Sequence, residues 1–152
     1  MTSIEKLDLL LHKVEKKLEQ KNSTNSTLTN TLREDNFKRI FTLYEKLEIA
    51  KKHDNFETLF EYKAMNLSGI GLKNDDFGEI RPGKYVQIIT ITYDTNKNGK
   101  RVAKNSSLGY YGKTEKLEAQ LKNDIIEFVL RWRYEKSFRQ SEHYQHLISK
   151  LQ

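Results

Sequence analysis

Positively charged side chains are concentrated in one segment of this 152-residue chain. Residues 81–114 carry seven lysines and arginines but only one acid, Asp94. The whole chain has a formal net charge of +6, so this segment accounts for the surplus and the remainder is close to neutral. Four tyrosines lie among these cations. Such a segment favours a surface that binds a polyanion.

The side chains of this segment suit the recognition of nucleic acid. Lysine and arginine neutralise phosphates, while Arg101, Asn105 and Gln87 are side chains able to read base edges. Tyrosines on a sheet can instead stack on single-stranded bases. We therefore predict nucleic-acid binding, with DNA favoured over RNA, in the service of a mobile element, replication or regulation. The expected contact residues are Arg81, Lys84, Lys97, Lys100, Arg101, Lys104, Asn105, Tyr110 and Lys113.

Two other interpretations of the basic segment stay open. In the first, the protein is an interaction or inhibitor module that docks its basic hairpin on an acidic protein surface. In the second, the segment is an ordinary solvated hairpin, because lysines commonly protect edge strands from pairing with other chains.

Catalytic and metal sites are poorly supported by the residue pattern. The chain has no cysteine, which excludes disulfides, thiolate metal sites and a cysteine nucleophile. Asp94–Gly99 matches the first half of an EF-hand loop, but the twelfth position is Asn105 instead of glutamate. His143 and His146 have no carboxylate or thiolate nearby that completes a zinc site. We predict no metal and no cofactor.

One enzymatic alternative is a metal-dependent nuclease. Such a nuclease needs clustered carboxylates and a lysine. These could loosely be supplied by Asp75, Asp76 and Glu79 together with Lys84, which follows them. These acids lie in a glycine-rich loop, and the strand that follows has no acid before Asp94. The expectation is therefore a non-enzymatic protein.

The basic segment is predicted to form a β-hairpin within residues 84–112. Tyr85–Tyr93 is rich in β-branched and aromatic residues and carries apolar side chains on both faces, which favours a central strand. Asn98 and Gly99 are typical of a type I′ turn, in which both central residues have positive φ. A second strand follows this turn, and a short third strand covers Leu108–Tyr111.

Helices are predicted both before and after the sheet in the sequence. After a first helix over residues 3–20, a second begins at Thr31, and a third, short one begins near Phe56 and extends towards Met65. A long amphipathic helix over residues 114–136 should cover the sheet. A last short helix is expected after Ser141.

The first helix has a regular apolar seam. Thr2 and Glu5 have the spacing of a capping box at its start. The seam residues follow 3-4-3-4 spacing and are Ile4, Leu7, Leu11, Val14 and Leu18. Such a seam either packs on the helix's own domain or forms a short coiled coil that makes a homodimer.

The predicted fold class is α+β: N-terminal helices, a three-stranded antiparallel sheet with a basic hairpin, and a long covering C-terminal helix. Residues 1–20 form the heptad helix, residues 21–31 a polar linker, and residues 32–152 the α+β domain. No apolar run approaches transmembrane length, and the N-terminus does not resemble a signal peptide. We expect a cytoplasmic protein without membrane contacts.

Four pieces of residues 84–128 follow one another in a recognisable pattern. They are the strand YVQIITITYD, the turn Asn98-Gly99-Lys100-Arg101, the strand piece Gly109-Tyr110-Tyr111 and the helix entry Lys113-Thr114-Glu115. In this order they resemble the arm-type DNA-binding domain of phage and transposon tyrosine integrases. The resemblance implies that the sheet lies in a major groove. It also implies contacts from Lys97, Lys100, Arg101 and Lys104.

Overall fold

The computed structural model describes residues 2–21 and 27–151, and the side chains of residues 2–16 and 30–151. The longer elements are α1 (Ser3–Lys21), α2 (Thr27–Lys46), β1 (Ala64–Ser68), β2 (Tyr85–Thr95), β3 (Arg101–Lys113) and α3 (Ala119–Ser149). Short 3-10 turns cover Ile49–Lys51, Phe56–Glu61 and Thr114–Lys116. The predicted α+β class is confirmed, because helices accompany a three-stranded antiparallel sheet and a long C-terminal helix.

The start of α1 is fixed by the predicted capping box. The Glu5 N–H donates to Thr2 Oγ1 at 3.1 Å, and the Thr2 N–H donates to Glu5 Oε2 at 3.0 Å. Leu11 is buried in the common core, with Leu7 and Val14 packed beside it, whereas Ile4 is 73% exposed. Part of the seam therefore packs on the chain's own core. The side chain of Leu18 lies outside the described residues, and the homodimer stays a prediction.

The polar linker predicted over residues 21–31 is too long. Lys21 belongs to α1 and α2 begins at Thr27, four residues before the predicted start at Thr31. The low helix propensity of threonine and asparagine amounts to only a few tenths of a kcal/mol per residue, so a well-packed helix can extend through them. Residues 22–26 lie outside the described part of the chain.

The sheet has the order β1-β2-β3, and all its pairs are antiparallel. The predicted central position of β2 is correct. The third strand is β1, where the sequence predicted a helix continuing towards Met65. Ala64–Ser68 has no β-branched residue, so its strand conformation comes from pairing with β2 and from burial of Met65 and Leu67.

The two short strands predicted after the hairpin turn are one continuous strand, β3. The pairing passes through the expected turn at 105–107, where Asn105 lies opposite Ile91 and Ser107 opposite Ile89. The register shifts between Ile88 and Ile89, which accommodates one extra residue on β3 as a bulge. Polar residues are tolerated here because this part of β3 is exposed.

The C-terminal region is a single helix of 31 residues, not a helix over 114–136 followed by a second one. Thr114 lies in a 3-10 turn, where its hydroxyl donates to the Arg81 carbonyl, so α3 begins five residues later. Ser141 lies within the helix instead of capping a new one. One reason that the helix continues through Ser141 is that Glu142 pairs with Arg33 of α2 at 2.8 Å, which holds this stretch against α2.

The hydrophobic core lies between the helices and one face of the sheet. Trp132 and Phe128 of α3 pack in the same cluster as Ile40 of α2 and Val86 and Ile88 of β2. The Trp132 indole N–H donates to the Leu59 carbonyl at 3.1 Å, which satisfies its buried polar atom. The opposite face of the sheet is free to hold a functional surface.

Candidate nucleic-acid interface

The hairpin extends beyond the three-stranded part of the sheet. β1 ends its pairing with β2 at Ile91, so from Thr92 onwards β2 and β3 continue as a two-stranded ribbon. We call the ribbon and its turn, Thr92–Lys104, the arm. Every residue from Tyr93 to Lys104 is exposed. The arm is therefore held by backbone pairing and projects from the core.

The tip of the arm has a different turn from the predicted one. The Gly99 N–H donates to the Asn96 carbonyl at 3.0 Å, and the Asn96 N–H donates to the Lys100 carbonyl at 2.8 Å. Gly99 has φ of +76°, whereas Asn98 does not have positive φ. This is a type I turn followed by a left-handed glycine, so the predicted type I′ turn is wrong. Asn96 Oδ1 accepts from the Asn98 and Lys100 N–H groups at 2.9 Å, which stabilises the longer loop.

Several cations of the helices have acidic partners among the described residues, whereas the cations of the arm do not. In the helices Arg39 pairs with Glu127 at 2.8 Å and Lys46 pairs with Asp124 at 2.7 Å. Among the described residues no ion pair includes a cation of the arm. The arm cations, all of them exposed, are Lys97, Lys100, Arg101 and Lys104. Their charge is available to a ligand.

The strand register distributes these cations over two faces of the arm. Arg101 lies opposite Thr95, and its guanidinium is 4.1 Å from the centroid of the Tyr93 ring. Lys104 lies opposite Thr92, on the other face, which also carries Asp94. The predicted contacts Arg101 and Lys104 are therefore not neighbours on one surface.

The face of the sheet that the helices do not cover continues the Arg101 face of the arm. We call it the open face. Its residues are Asn66, Ser68, Tyr85, Gln87, Ile89, Ile91, Asn105, Ser107 and Tyr110. All of these side chains are exposed or half-buried, and no acid is among them. The open face combines amides and hydroxyls with apolar groups and does not repel a polyanion.

The remaining predicted contacts lie at the far end of the open face. Lys113 is opposite Tyr85 in the register, and Lys84 precedes that strand. The Tyr85 and Tyr110 rings contact each other at 5.6 Å between centroids. Since β2 has 11 residues, each rising about 3.3 Å, this end lies roughly 35 Å from the tip of the arm. Apart from Lys104, which lies on the opposite face, the predicted residues thus form two clusters along one elongated surface.

Two charged groups at this far end already have partners. Arg81 pairs with Asp76 at 3.4 Å, which makes Arg81 a weaker candidate than the arm cations. The Glu115 carboxylate accepts a hydrogen bond from the Gly83 N–H, and this bond lowers the pKa of Glu115. These contacts fix the loop that precedes β2.

Arg133 was missed as a residue beside this surface. Its guanidinium donates to the Met65 carbonyl and to Asn66 Oδ1, each at 3.0 Å, and thereby covers part of the free edge of β1. Burial lowers the pKa of Arg133. No local pattern points to these contacts, because the strand that creates them was not predicted.

The described residues hold no group of three or more histidines or acids that could bind a metal ion. Asp76 accepts hydrogen bonds from the Lys73 N–H and from Arg81. His143 and His146 line a cleft of about 810 Å³ between α1, the 56–61 turn and α3, distant in the chain from the arm. None of the helices in the described ranges is both long and apolar enough to cross a membrane.

Comparison of the chain with protein-family models, with curated proteins and with solved structures found no match. The resemblance of residues 84–128 to the integrase arm-type domain therefore stays a prediction.

Proposed function

We propose that this is a non-enzymatic nucleic-acid-binding protein that binds duplex DNA through the arm and the adjoining open face. The observation that carries the proposal is the contrast in ion pairing. Arg33, Arg39 and Lys46 of α2 are paired with acids of α3, whereas the cations of the arm are exposed and have no ion-pair partner among the described residues. A surface of this kind gains affinity for a polyanion by releasing counterions.

The shape of the arm supports duplex DNA as the ligand. The major groove is about 12 Å wide and admits a two-stranded β-ribbon. The arm is such a ribbon, with both faces exposed and two lysines in its turn. Tyr93 lies under the Arg101 guanidinium and orients it on the same face as Asn105. Cations at the tip can contact phosphates, and the polar side chains behind the tip can contact base edges. This arrangement suits a protein that binds the DNA backbone and the bases at the same time.

The test is fluorescence anisotropy with labelled duplex DNA over a series of salt concentrations. Four neutralised phosphates correspond to a slope of about −3 to −4 in log affinity against log salt. The double variant Lys100→Glu and Arg101→Glu should lose at least tenfold in affinity and remain folded, because neither side chain is buried.

A matched control variant has the same change in net charge, but at positions outside the arm. Lys6 of α1 and Lys150 after α3 are exposed, and the ion pairs of the described residues do not include them. The variant Lys6→Glu and Lys150→Glu should keep most of the affinity. Equal losses in both variants would mean that only overall charge matters and would refute the arm as the binding site.

A second candidate function is docking of the arm on an acidic protein surface. It is favoured by Val102, which is 45% exposed on the arm and could fill an apolar pocket of a protein partner. Under this alternative, the protein should show no affinity for DNA or RNA at low salt. A pull-down that enriches an acidic protein with the wild type, but not with Val102→Asp, would then support it.

A further inference from the structure

The far end of the open face carries two exposed aromatic rings. Tyr85 is 45% exposed and Tyr110 is 56% exposed, although both lie within paired strands. Their rings are tilted by 31° and contact each other, so they form one aromatic surface instead of two isolated side chains. This surface is the Tyr85–Tyr110 pair.

The Tyr85–Tyr110 pair differs chemically from the arm. On the arm the Tyr93 ring is covered by Arg101 at 4.1 Å, so that ring is engaged within the protein. No cation–ring contact of that kind involves Tyr85 or Tyr110 among the described residues. Lys84 and Lys113 are exposed beside them in the chain or register. The nearby Asp76 pairs with Arg81, and the Glu115 carboxylate, which accepts from the Gly83 N–H, also interacts electrostatically with Lys113. The pair thus combines open rings with two exposed lysines.

Open tyrosine rings beside lysines suit bases that are not stacked in a duplex. In a duplex each base is covered by its neighbours and presents only its edge in a groove. An unpaired base exposes its face and can stack on an aromatic side chain, while its phosphates contact nearby cations.

We propose that the Tyr85–Tyr110 pair is a stacking site for unpaired bases, so that the preferred ligand is a DNA duplex that continues into a single strand. This inference rests on the proposed function, because the duplex part is bound by the arm. The distance of roughly 35 Å between the arm tip and the pair corresponds to about ten base pairs at 3.4 Å each, if the strands run along the duplex. On this geometry the boundary between duplex and single strand lies about ten base pairs from the arm tip.

The experiment compares a ten-base-pair duplex with the same duplex carrying three unpaired nucleotides at its 5′ or 3′ end. One overhang should raise the affinity about tenfold, since each stacked base contributes on the order of a factor of five to one hundred. A 2-aminopurine placed in that overhang should lose fluorescence on binding, because stacking on tyrosine quenches it.

The variants separate the stacking site from the arm. Tyr110→Ser should remove the quenching and should lower the ratio of overhang-duplex affinity to blunt-duplex affinity from about ten to about one. Tyr110→Phe should keep both, because the ring and not the hydroxyl provides the stacking. Tyr134→Ser, which changes a tyrosine of α3 that is also 45% exposed, should have no effect.

Three outcomes would count against the proposals. If the blunt duplex binds and neither overhang adds affinity nor quenches, the stacking site is wrong and the proposed function survives. If the overhang advantage persists in Tyr110→Ser, the unpaired bases lie elsewhere, and the inference is also wrong. If no nucleic acid binds at low salt, the proposed function itself fails.

Discussion

At the scale of single residues, the face of the strand on which each cation lies determines which cations can bind the same ligand. Arg101 and Lys104 are three positions apart in β3, are both exposed, and look equivalent in the sequence. The register places Arg101 on the open-face side above Tyr93, and Lys104 on the opposite side with Asp94. The two lysines of the turn, in contrast, are accessible from either side of the arm.

This difference gives a paired prediction for DNA binding. Arg101→Gln should weaken duplex binding about tenfold and reduce the salt slope by about one unit, as expected for one lost phosphate contact. Lys104→Gln should weaken binding less than threefold, because its face is turned away from the proposed ligand. Anisotropy titrations of both variants provide the measurement, and a larger loss in Lys104→Gln would show that the opposite face meets the DNA.

A second residue-scale prediction concerns Glu127. Hydrogen bonds from Arg39 and Arg131 lower the pKa of Glu127 to about 2. An unfolded glutamate titrates near pH 4.3, so between about pH 4.5 and 2 the unfolded state binds more protons than the folded state. The stabilisation by this carboxylate is complete above that window and is lost as the pH falls through it.

Urea unfolding at several pH values should show this loss. In Glu127→Gln the free energy of unfolding should fall less steeply between pH 4.5 and 2 than in the wild type. Glu61→Gln, which changes an exposed glutamate, serves as the control and should keep the wild-type slope. Identical slopes for all three proteins would contradict the assignment to Glu127.

At the scale of elements, α2 and α3 are joined by buried charges as well as by apolar packing. Arg33 donates two hydrogen bonds to Glu135 at 3.1 and 2.9 Å, and the Glu135 side chain is only 1% exposed. Arg139 also pairs with Glu135 at 2.9 Å. A buried carboxylate needs such partners, because an unpaired charge in the core costs several kcal/mol.

Removing one partner of this cluster should therefore destabilise the helix pair strongly. Glu135→Ala leaves Arg33 buried without its main acceptor and should lower the free energy of unfolding by about 3–5 kcal/mol. The double variant Arg33→Met and Glu135→Leu removes both charges and should recover most of that loss. Denaturant titrations would decide, and a Glu135→Ala variant of wild-type stability would show that the ion pair contributes nothing.

At the scale of the whole molecule, the arm and the core are separable. The core is formed by the helices and the inner face of the sheet, while every residue from Tyr93 to Lys104 is exposed. Half of the chain's net charge of +6 is thus displayed on this projection, which contains no buried residue.

A deletion variant tests this separation. Replacing residues 92–104 by Asn-Gly joins Ile91 and Asn105, which are already opposite each other, through a two-residue hairpin turn. The melting temperature should change by only a few degrees, since no buried side chain is removed. The salt slope of duplex binding should fall by about three units, because the three arm cations outside the opposite face, Lys97, Lys100 and Arg101, are lost. Loss of folding would show that the arm supports the core.

Much of the fold follows from local patterns in the sequence. The capping box of Thr2 and Glu5, the presence of a second helix and the strand Tyr85–Tyr93 were all correctly predicted. These signals lie within a few residues of one another, so neighbouring side chains suffice to specify them. The basic segment and the position of its turn were recognised for the same reason.

The tertiary structure decided what depends on distant partners. β1 is a strand because β2 supplies its hydrogen bonds, and the opposite faces of Arg101 and Lys104 follow from the register of β3 on β2. Arg33, Arg39 and Lys46 of α2 are paired with acids far away in the chain, whereas the arm cations have no ion-pair partner among the described residues. Sequence alone determined where the charge lies along the chain. Only folding determined which of these charges have no ion-pair partner. Ion pairs and strand register join residues that are far apart in the sequence, and no local pattern predicts such contacts.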